Sequence, residues 1–169
     1  HPTSLPNAYG IGSLGQGAYQ FVDFLVKAGQ QLWQILPLGP TSYGDSPYQS
    51  FSAFAGNPSL IDPDRMVKFG LLEPKDLENN INFSTHKVDF DNAQQFKLKL
   101  LKKAFENFKK TGTYELKKEF VTFIKHNDYW LEDYALFMAI KLQQKGKPWF
   151  EWDEGLKRRD DKDLAVIKL

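Results

Sequence analysis

The sequence changes character sharply at residue 63, and this break constrains the fold more than any other feature. Residues 1–63 contain 8 of the 12 glycines and 7 of the 9 prolines, but Lys27 is their single cation. Residues 64–169 contain the other 21 Lys and Arg side chains. Glycine and proline favour turns, whereas interspersed charges are typical of solvent-exposed helix faces. We therefore predict a turn-rich part at residues 1–63 and a set of charged helices at residues 64–169.

The size and charge of the chain exclude several classes of protein. Its 169 residues suffice for one domain with a sizeable core. The net charge is +1 and no apolar stretch is long enough to span a bilayer, so we expect neither a nucleic-acid nor a membrane partner. There is no cysteine, which excludes disulfide frameworks and thiolate zinc sites and is compatible with a reducing compartment.

A helix followed by a buried strand is predicted in the first part. Apolar residues recur at helical spacing between Tyr19 and Ala28, and Gly29 follows where a left-handed residue often ends a helix. The short apolar run at residues 31–36 predicts a buried strand. A helix that leads into a parallel strand needs an earlier strand before it. Because the chain also begins with His1 rather than Met, we expect a piece of a longer protein.

Three apolar stripes predict three helices in the second part. The first helix is expected to follow an N-cap at Asp91. The stripes comprise Phe96, Leu100, Leu101, Ala104, Phe105 and Phe108; then Leu116, Phe120, Phe123 and Ile124; then Leu131, Tyr134, Ala135, Phe137, Met138, Ala139 and Leu142. The lysines between Lys97 and Lys110 alternate with the first stripe, so we predict that they lie on its solvent face rather than bind nucleic acid.

The segment Gly10-Ile11-Gly12-Ser13-Leu14-Gly15 matches the G-x-G-x-x-G pattern of dinucleotide-binding proteins. The match is weak, because Pro2, Pro6 and Asn7 occupy the place of the apolar strand that should precede it. We interpret it as a glycine-rich turn before a helix. The three histidines lack the spacing of a metal site, so we expect no metal.

The loop after the predicted strand contains the residues best suited to bind a ligand. It reads Tyr43-Gly44-Asp45-Ser46-Pro47-Tyr48 and follows the carboxyl end of the strand, where α/β proteins build their sites. Sugar recognition uses this mixture, because CH faces stack on aromatic rings while hydroxyls need polar partners. We expect Tyr43 and Tyr48 to face the ligand, and Phe51 and Phe54 to hold the loop against the core.

Longer motifs extend along nearly the whole chain and carry a family resemblance. They are His1-Pro2-Thr3-Ser4-Leu5-Pro6, Tyr9-Gly10-Ile11-Gly12, Trp33-Gln34-Ile35-Leu36-Pro37-Leu38-Gly39-Pro40-Thr41, residues 43–62, Val88-Asp89-Phe90, Trp130-Leu131-Glu132-Asp133-Tyr134-Ala135-Leu136-Phe137 and Pro148-Trp149-Phe150-Glu151-Trp152. Together they resemble the amylomaltase family, the 4-α-glucanotransferases or disproportionating enzymes.

The resemblance implies an α/β fold, a partial (β/α)8 TIM barrel with a mainly α-helical insertion. Residues 1–63 would form the first barrel units with the glucan-binding loop, and residues 64–169 the insertion. A whole barrel takes roughly 200 residues or more, so this chain covers only part of one. The family transfers segments of α-1,4-glucans in the cytoplasm by a retaining double displacement, without metal or organic cofactor. Its catalytic carboxylates lie in later strands, so the resemblance implies no catalytic residue in this chain and no activity of the chain alone.

The resemblance also assigns substrate-binding residues. Tyr48 resembles a tyrosine that stacks at the cleavage subsite, Ser46 a hydroxyl beside it, and Tyr43 an aromatic at a more distant glucan site. Asp45 and Pro47 complete the residues expected to bind maltooligosaccharide. The distant site can use a second aromatic, and Gln94 takes that position here, which predicts a weakened distant site.

Two other functions remain open from the residues. The chain could be a glucan-binding module without catalysis, which uses the same loop. It could also be a helical interaction domain, which only residues 91–145 support.

Overall fold

The chain folds into α-helices joined by long irregular segments, in a computed structural model that describes residues 1–167. The helices are α1 (Gln16–Lys27), α2 (Pro63–Lys68), α3 (Phe90–Thr111), α4 (Tyr114–His126), α5 (Asp128–Gln143), α6 (Glu154–Arg158) and α7 (Asp161–Ile167). Short 3-10 turns lie at Pro2–Ser4, Tyr43–Asp45, Pro58–Leu60, Pro74–Leu77 and Trp149–Glu151. No helix within residues 1–167 is long and apolar enough to cross a membrane. The last two residues of the predicted second part lie outside the described residues.

The strand predicted at residues 31–36 is absent, and that prediction is wrong for the structure described. Within residues 1–167 the β-structure is a single isolated antiparallel bridge between Thr41 and Ser50. Residues 31–36 form no ladder, and Leu32 in their middle is 90% exposed. The apolar pattern predicted a strand because it reports side-chain character only, and a strand also needs a partner. A strand exists only when a neighbour pairs with its backbone, and within residues 1–167 no segment forms such a pairing with this one.

The end of α1 confirms the role predicted for Gly29. Its backbone has a φ of 72°, which glycine adopts without the steric cost of a Cβ. The amide of Gly29 donates to Val26 O at 3.0 Å, and that of Gln30 donates to Leu25 O at 2.9 Å. This pair of bonds is the Schellman ending of a helix.

Contacts divide the chain into two compact units, His1–Lys117 and Lys118–Leu169. In the first unit, one face of α3 contributes to the core. The residues buried on this face are Ala93, Lys97, Leu100 and Ala104, spaced by four, three and four positions. Leu72 packs against Leu100 and Ala104 in one cluster.

Two details of α3 correct the sequence analysis. The N-cap is Asp89 rather than Asp91, because the Asp89 carboxylate accepts the amide of Asn92 at 3.2 Å. Hydrogen bonds from Asn92 hold the pKa of Asp89 below its usual range. Lys97 does not lie on the solvent face, since its side chain is only 2% exposed.

In the second unit, described from Lys118 to Ile167, the core forms between α5 and the residues that follow it. Ile140, Trp152, Leu156 and Leu164 are buried together. The predicted stripe on α5 included Phe137, which packs on this cluster, but it missed Ile140 and included Leu142, which is 67% exposed.

The glycine-rich segment is a turn that precedes α1, as predicted. A Cβ at Gly12 would overlap the backbone of Pro2 and Leu5, and a Cβ at Gly15 would overlap the carboxylate of Asp62. The space that a dinucleotide phosphate would need against these glycines is therefore filled by atoms of this chain.

Candidate functional site

The candidate residues lie on a short closed loop, residues 42–49. The bridge between Thr41 and Ser50 brings the two ends together, and the amide of Ser42 donates to Gln49 O at 2.9 Å. A loop with joined ends presents its central side chains outward from a fixed base.

The backbone inside loop 42–49 makes an unusual turn. Gly44 has a φ of 66° and Asp45 a φ of 54°, so two consecutive residues adopt the left-handed conformation. Aspartate tolerates this conformation better than most side chains do. The amide of Asp45 donates to Ser42 O at 3.3 Å, and the amide of Gln49 donates to Ser46 O at 3.1 Å.

Both candidate tyrosines project into solvent. The Tyr43 side chain is 87% exposed and that of Tyr48 is 73% exposed. Such rings offer open faces on which the CH face of a sugar can stack. Both rings are open to solvent, and contact with a sugar stays a prediction.

The loop borders two cavities of about 450 Å³ each. Pro47 and Tyr48 line the first, together with residues 37–39, Ser50 and residues 52–56. Asp45 lines the second with Ser84 and residues 87–91. The five candidate residues are therefore not gathered around one point. Ser46 instead accepts the amide of Tyr48 through its hydroxyl at 3.3 Å.

The surroundings of Phe51 and Phe54 differ from those predicted. Phe51 is half-buried, in keeping with a residue that holds the loop. Phe54 is 60% exposed and lines the first cavity beside Tyr48. The prediction that Phe54 packs against the core is therefore wrong.

A side chain from α3 contacts the loop, and the sequence analysis missed this contact. Gln94 donates its Nε2 to Asp45 Oδ1 at 2.6 Å, across 49 positions of sequence. From the sequence, Gln94 was noted only because it stands where the distant site can use a second aromatic residue. A contact of this sequence separation leaves no periodic signal, so the pattern of residues could not have revealed it.

The buried lysine of α3 supports the segment that follows the loop. Lys97 Nζ donates to Ser59 O at 2.6 Å and to Ile61 O at 3.2 Å. Burial lowers the pKa of Lys97 to about 8, while the nearby Asp62 carboxylate opposes that shift. A signal for this burial existed, because Lys97 lies four positions after Ala93 and three before Leu100, on the same helix face.

The acidic residues nearest to this segment are already engaged. Asp62 is buried, accepts the hydroxyl of Ser13 at 2.5 Å and accepts the amide of Arg65 at 3.1 Å, which caps α2. Asp64 accepts the hydroxyl of Tyr9 at 2.7 Å. Burial and this bond raise the pKa of Tyr9. Both carboxylates therefore hold the fold together.

Comparisons with known proteins identify the same family over almost the whole chain. The profile of the 4-alpha-glucanotransferase family matches residues 1–168. The 4-alpha-glucanotransferase of Aquifex aeolicus is 48% identical over 169 residues, which cover 99% of this chain and 33% of that protein. The 4-alpha-glucanotransferase of Thermus thermophilus is 47% identical over 168 residues, with the same two coverages.

A solved structure shows the same likeness in three dimensions. The amylomaltase from Streptococcus agalactiae in complex with acarbose matches with a TM-score of 0.90 and 43% identity, over 99% of this chain and 34% of that one. The chain thus spans about a third of the length of the relatives that it matches. The resemblance predicted from the motifs is confirmed, and this chain belongs to the 4-alpha-glucanotransferase family.

Proposed function

We propose that this sequence supplies the glucan-binding loop and a helical portion of an enzyme that transfers segments of α-1,4-glucan between maltodextrins. The observation that carries the proposal is the family match over residues 1–168. Loop 42–49, with its two exposed tyrosines, is the part of this chain best suited to hold the sugar. The related amylomaltase that was solved with acarbose supports a maltooligosaccharide as the substrate.

The reaction we propose is a double displacement with retention at the anomeric carbon. One carboxylate attacks that carbon while a second carboxylic acid protonates the departing oxygen. In the second step an acceptor-sugar oxygen displaces the first carboxylate from the anomeric carbon, while the second group, now a carboxylate, takes the proton of that hydroxyl. The resemblance assigns these carboxylates to the part of the relatives that this chain does not cover, so we assign binding rather than catalysis to the residues here.

Each residue of the loop has a proposed task. Tyr48 and Pro47 line the first cavity, which suits a ring that stacks at the cleavage subsite, and Ser46 would bond a sugar hydroxyl beside it. Asp45 would accept a hydroxyl from the side of the second cavity. Tyr43 would stack on a more distant glucose unit of a long chain.

We further propose that residues 31–36 become a barrel strand in a longer enzyme. Three of their apolar side chains, Leu32, Ile35 and Leu36, are exposed here, Leu32 most of all at 90%. Pairing with neighbouring strands would bury them and satisfy their backbone groups. Residues 1–63 would then be the start of the (β/α)8 barrel and residues 64–169 the helical insertion. We place the reaction in the cytoplasm, although plant relatives are named chloroplastic/amyloplastic.

Two proteins test this proposal against the alternative of a binding module without catalysis. One is the 169-residue chain alone, and the other is a complete 4-alpha-glucanotransferase in which this sequence replaces the corresponding third. Both are incubated with maltotriose, and release of glucose and longer maltodextrins is measured. We expect products from the complete enzyme and none above buffer from the chain alone. A folded complete enzyme that binds maltotriose without converting it would favour the binding module.

A further inference from the structure

Loop 42–49 is closed by two bonds of Gln49, at 2.9 Å to Ser42 and at 3.1 Å to Ser46, but the hydrogen bonds nearer to Asp45 are longer. The amide of Asp45 reaches Ser42 O at 3.3 Å, and the amide of Tyr48 reaches the hydroxyl of Ser46 at 3.3 Å. Both distances are at the long end of the range for protein hydrogen bonds. The left-handed backbone at Gly44 and Asp45 is also a conformation that persists only when its surroundings favour it.

Packing of the two tyrosine rings cannot supply that support. Tyr43 and Tyr48 are 87% and 73% exposed, so their rings bury little surface. Asp45 lies between them, two positions after Tyr43 and three before Tyr48. A contact that holds Asp45 therefore acts on the backbone between the two rings.

Gln94 is the side chain that contacts Asp45 from outside the loop. Its Nε2 lies 2.6 Å from Asp45 Oδ1, a short bond to an ionised acceptor. Hydrogen bonds of this kind are stronger than those between neutral groups. Gln94 lies on the first turns of α3, whose N-terminus is capped by Asp89, so the donor comes from a rigid element.

We propose that Gln94 is a positioning residue, which holds loop 42–49 in its glucan-binding shape through Asp45. This rests on the proposed function of the loop, and it gives Gln94 a role of its own at a position where the resemblance offers only a missing ring. Gln94 acts through the loop backbone, and Tyr43 and Tyr48 contact the sugar.

Because the surroundings of Asp45 are mostly acidic, the substitution Gln94→Glu tests the bond between Gln94 and Asp45. Asp89 and Asp91 line the second cavity together with Asp45. Among the described residues, Lys87 is the one cation that lines it with them. Gln94→Glu keeps the size of the side chain, removes the donor and faces the Asp45 carboxylate with a second one. The substitution should release the loop while leaving α3 intact.

A reversed pair tests whether the contact itself is responsible. In the double variant Gln94→Glu with Asp45→Asn, the asparagine amide can donate to the new carboxylate, so the bond is restored in the opposite direction. Asparagine also accepts the left-handed backbone at position 45. Gln95→Glu is the matched control, because Gln95 is the next residue on α3 and is exposed.

The measurement is solvent exchange of the Ser42, Asp45 and Gln49 amides, followed by NMR in the 169-residue chain without sugar. We expect Gln94→Glu to speed exchange at these three amides by about tenfold or more. The double variant should return towards the original rate, and Gln95→Glu should leave it unchanged. Equal exchange in the original chain and Gln94→Glu, or a double variant no slower than the single one, would overturn the proposal.

Kinetics in the complete enzyme separate this inference from the proposed function. If loop 42–49 binds glucan, kcat/KM for maltotriose should fall in Gln94→Glu and stay unchanged in the control Gln95→Glu, with melting temperatures unchanged in both. If exchange responds as expected while kcat/KM does not move in any variant, the hold of Gln94 on the loop stands. In that case the glucan-binding role of the loop is what fails.

Discussion

Tyr43 and Tyr48 share one loop but have different surroundings. Tyr48 lines a cavity of about 450 Å³, whereas Tyr43 projects from the loop with 87% of its side chain exposed. A ring at the cleavage subsite stabilises the flattened sugar of the transition state more than the ground state. A ring at a distant site stabilises both equally and so affects only binding.

This difference predicts separate kinetic effects in the complete enzyme. Tyr48→Ala should lower kcat/KM for maltotriose by about 10-fold or more, mostly through kcat. Tyr43→Ala should raise KM for long glucans and leave kcat unchanged. Steady-state assays on maltotriose and on amylose measure both. If Tyr43→Ala lowered kcat on maltotriose as much as Tyr48→Ala, the assignment of the two rings to different sites would be wrong.

The buried ammonium of Lys97 predicts an unusual dependence of stability on pH. Its folded-state pKa is lowered to about 8, so above that pH the unfolded chain holds the proton more tightly than the folded one. Stability therefore rises with pH between about 8 and the ordinary lysine value of about 10.5, by at most about 1.4 kcal/mol per pH unit. The neutral amine can still donate to Ser59 O and Ile61 O, so these contacts survive deprotonation.

Comparison with Lys97→Met isolates this contribution from other titrating groups. Urea unfolding at several pH values should show the original chain gaining stability relative to the variant as the pH rises through this window. Lys99→Met is the control, because Lys99 is exposed on the same helix and its removal should leave the trend intact. If the difference in free energy of unfolding between the original chain and Lys97→Met stayed constant from about pH 7 to pH 10, Lys97 would not release its proton on folding in this range.

At the scale of the helices, the start of α3 depends on Asp89. Its carboxylate accepts the amide of Asn92 at 3.2 Å and also the Asn92 side chain at 2.7 Å. Asp89→Ala should lower the melting temperature by about 2–6 °C, while Asp91→Ala should lower it less. Because the pKa of Asp89 is lowered on folding, its contribution should be lost as the pH falls below the ordinary aspartate value of about 4. Equal effects of the two variants at neutral pH would show that Asp89 is not the cap.

We expect the backbone amides of residues 31–36 to exchange with solvent much faster than those of α3. Within the described part of the chain its amides donate to no other backbone group, whereas the amides inside α3 are bonded along the helix. Hydrogen exchange should therefore be close to that of an unfolded peptide at residues 31–36 and much slower at Leu100 and Ala104. Protection of residues 31–36 in the isolated chain would mean that they pair with a strand in solution, for example in a second copy.

The helices could be predicted from the sequence because their signals are local. The stripe on α3 and the glycine that ends α1 each lie within a few residues of the element they define. The strand could not be judged in the same way, because the pattern at residues 31–36 describes a side-chain preference and not the presence of a partner. The positions of Lys97 and Gln94 show a similar limit, since their partners Ser59 and Asp45 lie 38 and 49 positions away.

For the candidate site too, local features could be predicted from the sequence and distant contacts could not. The loop and its tyrosines were predicted because aromatic, acidic and hydroxyl residues cluster within six positions of sequence. The left-handed backbone at Gly44 and Asp45 and the contact from α3 were not predicted, because neither leaves a pattern in the nearby sequence. Composition thus indicates what a loop can bind, and tertiary contacts decide how it presents those groups.

At the scale of the whole molecule, the chain combines a close family match with a third of its relatives' length. On the proposed function, these residues bind glucan and contribute to transfer only where the catalytic carboxylates are present. Binding of glucan by loop 42–49 is the property that we propose for this chain itself, and it is the central claim about it.

A titration of the 169-residue chain with maltoheptaose, followed by NMR of its backbone amides, tests that claim most directly. We predict saturable shifts at residues 42–49 and at the cavity residues 37–39 and 52–56, with a dissociation constant on the order of 1 mM. The shifts should be lost in Tyr48→Ala, and the β-linked sugar cellotriose should not produce them. No shifts in loop 42–49 up to about 10 mM maltoheptaose, or the same shifts with cellotriose, would contradict the account.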